Sequence, residues 1–62
     1  MKYEVLAIFK DGHQQVFDGV NDFGTMSDYN CFFLKKNDKY VAFIPWDVIV
    51  YFGLLEEWVN GR

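Results

Sequence analysis

His13, Ser27, Thr25 and Cys31 are the side chains of this 62-residue chain whose chemistry most resembles that of a catalytic nucleophile or base, and the chain holds one histidine, one serine, one threonine and one cysteine. Nucleophilic catalysis needs a hydroxyl or thiol beside a base that a third group orients. His13 follows Asp11-Gly12, a pair with strong turn character, and is expected to be a solvated turn residue. Cys31 lies inside an apolar run with no histidine near it in sequence, so a buried, inert thiol is expected. Asp18, Asp22 and Asp28 fall in one stretch, but their spacing does not match a calcium loop and they read as solvated acids. Gly12, Gly19 and Gly24 are too widely spaced for a phosphate loop, and no basic residue follows them. The chain is therefore expected to be non-enzymatic, with no metal and no cofactor.

What the chain has in excess is rings. Seven Phe, four Tyr and two Trp stand among 62 residues, and a buried ring takes about 150–250 Å² with it. A domain this short encloses one small core, so some rings must lie at the surface. Exposed aromatic clusters mark interfaces. The formal net charge of −3 with six basic residues argues against non-specific nucleic-acid binding, which needs clustered Lys and Arg. A single cysteine fits a reducing compartment. The first ten residues contain Glu4 within a short apolar stretch, unlike a secretory signal, and no segment reaches membrane-spanning length. A cytoplasmic location is the expectation.

The elements that position these residues follow from pattern. Lys2 to Lys10 is apolar and β-rich, Asp11-Gly12 predicts a two-residue hairpin, and His13 to Val20 returns, which sets Leu6 opposite Phe17 and Ala7 opposite Val16. Asp18 to Asp28 reads as a bend and long loop. Tyr29 to Leu34 and Lys39 to Ile44 form a second hairpin about Asn37-Asp38, with Leu34 opposite Val41 and Phe32 opposite Phe43. Pro45-Trp46-Asp47 makes a tight turn. Val48 to Phe52 is a fifth strand, released at Gly53. Leu54, Leu55, Trp58 and Val59 then share one side at helical spacing against Glu56 and Glu57, with Gly61 as a stop. The fold class is mostly β: a five-stranded bent barrel or an open antiparallel sheet with a short C-terminal helix, as one domain over residues 1–62.

The runs VLAIFKDGH and FIPWDVIVYFG resemble the opening and closing strands of Sm-like small β-barrels. In that family an apolar strand ends in a charged residue and a Gly-containing turn, and a brief turn joins the last two strands. The resemblance implies the barrel alone. Met26-Ser27 stands where the family has Met-Asn and its Arg-Gly pair is absent, so its RNA-recognition residues have no counterparts.

Two functions follow as expectations. The first is a protein-interaction module, a small inhibitor or adaptor of the kind phages and mobile elements encode. Its interface residues are Trp46, Leu55, Trp58 and Val59, and a homodimer through the terminal segment is expected. The second is a binder of a small ligand or single-stranded nucleic acid, with Tyr29, Tyr40 and Trp46 as stacking platforms. The scarcity of basic residues favours a neutral ligand over a polyanion in that case.

Overall fold

The computed structural model describes residues 2–61. Six strands precede one helix: β1 (Tyr3–Phe9), β2 (Gln14–Val20), β3 (Asp22–Met26), β4 (Cys31–Lys36), β5 (Lys39–Pro45), β6 (Ile49–Leu54) and α1 (Leu55–Asn60), with a 3₁₀ turn at Trp46–Val48 between β5 and β6. They form two three-stranded antiparallel sheets, ordered β2-β1-β6 and β3-β4-β5.

The extra strand is β3, which lies within the segment expected to be a loop. Asp22 and Gly24 are poor indicators of strand. β3 forms because its backbone completes a ladder on β4, from Asp22 opposite Lys35 to Met26 opposite Cys31. Strand formation here is set by tertiary pairing rather than by propensity. Asn21 alone separates β2 from β3. Its N–H donates to the Lys35 carbonyl at 2.9 Å, and its side-chain oxygen accepts from the Asn37 N–H. β2 and β3 thus act as two arms of one bent strand, one arm in each sheet.

The first hairpin closes differently from the expected two-residue turn. The Gly12 N–H donates to the Phe9 carbonyl at 2.9 Å and the Phe9 N–H to the His13 carbonyl at 2.8 Å. The loop therefore has three residues, Lys10 to Gly12, with Gly12 at φ +93°. This is the type I turn plus left-handed glycine that three-residue hairpins favour. One added loop residue slips the register by one: Val5 faces Phe17 and Leu6 faces Val16. A bulge at Gly19, φ +68°, then brings Val20 opposite Tyr3. The second hairpin does turn on Asn37-Asp38, both at positive φ (53° and 64°). A bulge beyond Lys35–Tyr40 shifts the ladder, so Leu34 meets Ala42, Phe32 meets Ile44 and Phe33 meets Phe43.

The core lies between the sheets. Val5, Ala7 and Val20 from the first meet Leu34 and Ile44 from the second, with Phe9, Phe17, Phe23, Ile49 and Phe52 around them. Phe32 and Phe52 stack across the gap with ring centroids 4.4 Å apart, and Phe23 meets Phe52 edge-on at 6.0 Å.

Candidate functional site

Each sheet has an inner face on this core and an outer face, and the two outer faces have different fates. On β1, Leu6 and Ile8 alternate with the core residues Val5 and Ala7 and so point outward. Both are nevertheless buried. The cover is α1, which packs on β1 and β6. Trp58 lies against Tyr51 with ring centroids 4.7 Å apart, and Tyr51 is the β6 partner of Ile8. The helix is short, with Glu56 and Glu57 in its first turn, where carboxylates suit the helix dipole, and the Gly61 N–H on the Glu57 carbonyl at its end. Leu55 and Trp58 are half-buried by this packing, whereas Val59 is 60% exposed.

The outer face of the second sheet has no such cover among the described residues. Phe33 and Phe43 sit side by side across β4 and β5. Phe33 also lies over Gly24 of β3, where a Cβ would come within 3.2 Å of its ring. Tyr40 meets Phe33 edge-on at 5.7 Å and Phe43 at 5.2 Å, and the Lys35 Nζ stands 5.0 Å from the Tyr40 ring centre. Phe43 is 56% exposed and Tyr40 52%.

At the other end of this face the β3–β4 loop and the 3₁₀ turn approach each other. The Trp46 N–H donates to the Asn30 carbonyl at 3.0 Å, with Asn30 held at φ +52°. Two open clefts flank Tyr29, which is 73% exposed. One, of about 470 Å³, is lined by Met26, Tyr29, Cys31 and Phe43. The other, of about 500 Å³, is lined by Tyr29, Asn30, Pro45, Trp46 and Asp47. Trp46 is itself tilted against the core ring of Phe32 at 6.2 Å.

The structure therefore separates the residues that the sequence grouped. Tyr29 and Trp46 share a cleft, and Tyr40 lies toward the Asn37-Asp38 end. Leu55, Trp58 and Val59 belong to the helix on the other sheet. Phe33, Phe43 and Met26 belong to the bare face and were not singled out by sequence. The alternation of Val41, Phe43 and Pro45 against Ala42 and Ile44 carried that signal. Cys31 is buried, as expected. Among the described residues no three His, Cys, Asp or Glu side chains gather as a metal site would require, and no helix is long and apolar enough to cross a membrane.

No protein-family model, curated protein or solved structure matches this chain.

Proposed function

We propose that this protein is a non-enzymatic protein-interaction module that binds a partner through the outer face of β3-β4-β5. The observation that carries this reading is the asymmetry of the two outer faces. The chain uses its one helix to cover Leu6 and Ile8, yet leaves Tyr29, Tyr40 and Phe43 each more than half exposed. Contiguous apolar patches beyond a few hundred Å² are rare on monomers that bind nothing, and aromatic residues are what interface centres favour. Phages and mobile elements encode small inhibitors and adaptors with this economy of design, and we place the protein among them, acting in the cytoplasm. The strand order, with one bent strand serving both sheets, is compatible with a small bent barrel of the Sm-like kind. Val59 at the exposed edge of α1, with Leu55 and Trp58 behind it, offers a separate surface for a homodimer.

Capture of partners from the native host with wild-type protein and with the Tyr40→Ser, Phe43→Ser double variant tests the reading. A partner retained by the wild type and lost by the folded variant supports it. Equal retention by both removes the face from consideration.

A second reading has its own support in the Lys35 ammonium beside Tyr40, an arrangement in which a stacked planar ligand would find both a ring and a cation. Calorimetric titration with nucleotides or short oligonucleotides at low salt tests it: binding that is lost in Tyr40→Ser would favour it, and no binding up to millimolar ligand rejects it.

A further inference from the structure

We propose that the cleft between Tyr29 and Trp46 receives a cationic side chain, arginine or lysine, from a partner peptide segment whose neighbouring apolar side chain enters the cleft beside Phe43. This rests on the reading of the face as protein-binding and specifies the chemistry of what it binds.

The two clefts share Tyr29 as their common wall, so a single short segment can fill both. Their linings differ in kind. Met26, Cys31 and Phe43 bring no charge, and a flexible thioether adapts to apolar groups of varied shape. The neighbouring cleft joins two aromatic rings and Pro45 to the carboxylate of Asp47, which is exposed. Rings with a carboxylate at the rim are the combination that attracts a cation, with indole the strongest of the ring partners. An anion finds little there. The Trp46 amide is already engaged by the Asn30 carbonyl, and among the described residues no lysine or arginine lines the cleft. Asp28 lies next to Tyr29 in sequence and adds negative charge to the same loop. Lys35, the cation placed on this face, lies at its opposite end, about four strand positions from Cys31 and roughly 13 Å along β4. Asp47 also borders a smaller hollow with Lys10 and Asp11, where one basic and two acidic groups leave the local balance negative. The cleft's two walls are tied by the Trp46–Asn30 bond, so little ordering is needed when a guest enters.

Selection of a random heptapeptide display library on the full chain tests the inference. The expected peptides carry Arg or Lys within three positions of a large apolar residue. For a selected peptide made synthetically, replacement of its Arg by neutral, isosteric citrulline should weaken binding roughly five- to tenfold. Asp47→Asn and Trp46→Leu should each weaken the Arg peptide by a comparable factor and leave the citrulline peptide nearly unchanged, with amide spectra verifying that both variants are folded. Peptides without a basic residue, binding indifferent to citrulline or to Asp47→Asn, or failure to select any peptide would each overturn the inference. Peptides that lack a basic residue but are displaced by Phe43→Ser would overturn it while leaving the face itself as the binding surface.

Discussion

The Tyr51 hydroxyl donates to the Leu54 carbonyl at 2.9 Å, folding the phenol ring back along its own strand over Gly53. A Cβ at Gly53 would come within 3.0 Å of the Tyr51 oxygen, so a residue without a side chain is what permits the bond. The ring so placed is the surface on which Trp58 rests. The bond therefore helps to fix where β6 ends and α1 begins, since Leu54 is the N-cap residue and offers no side-chain cap of its own.

Tyr51→Phe should lower unfolding stability by about 1 kcal/mol, the usual net worth of one such hydrogen bond. Gly53→Ala should cost about 1–2 kcal/mol by displacing the ring. If the two share one cause, the double variant will cost clearly less than their sum. Urea titration of the four proteins measures this coupling, and strict additivity would show that the ring and Gly53 act independently.

Phe52 joins the sheets through its stack on Phe32 and its edge contact with Phe23. Phe52→Ala should cost about 3 kcal/mol or more, a large share of what a domain of this size has. Loss of cooperative melting or a fall in midpoint of many degrees is the expected calorimetric result. A shift of only a degree or two would mean that the sheets are held together elsewhere.

Phe43→Ser removes an exposed ring of comparable size. Its stability effect should stay within about 1 kcal/mol, the scale of a cross-strand pair, while solubility rises. The contrast between Phe43 and Phe52 in the same melting experiment tests the assignment of inner and outer faces.

Asn37 and Asp38 both occupy positive φ, a conformation that glycine adopts without the penalty borne by other residues. Asp38→Gly should stabilise the protein by up to about 1 kcal/mol. Asp38→Val, β-branched and unsuited to that region, should destabilise it by more than this. Thermal melts of the two variants should move in opposite directions.

Much of the architecture was legible. β1, the Asn37-Asp38 turn, the break at Pro45 and the terminal helix stopped by Gly61 follow from local patterns that the tertiary fold leaves intact. β3 was not legible, because Asp22 and Gly24 are disfavoured in strands and the segment pairs only when β4 is present. The pairing within the second hairpin departs from the sequence pattern for a subtler reason. With Phe32 set opposite Phe43, both would point the same way. The bulge at Val41 carries Phe43 to the outside while Phe32 stays within, and a slip of one residue reverses every side chain beyond it. The bare face went unseen because pairing Phe32 with Phe43 sets both rings on one side, whereas Phe43 pairs with Phe33. Trp46 was legible as a turn residue from Pro45 and Asp47 beside it, whereas Tyr29, read as the start of a strand, lies in the loop between β3 and β4.

The single-residue join at Asn21 ties the two sheets to one another's fate. One length of chain serves as an edge in both, so neither sheet can come apart without pulling on the other's ladder. Amides on β1 and β4 should exchange with deuterium through the same rare event, at matching rates, although no hydrogen bond joins those two strands. A protease has no quiet seam at which to divide the molecule. Scission near Asn21 would leave β1 and β2 as one fragment and β3 to β6 with α1 as the other, so that β6 is parted from its partner β1. Mixed together, those halves are expected to reassemble, and their affinity for each other would report directly how much the continuity of that strand is worth.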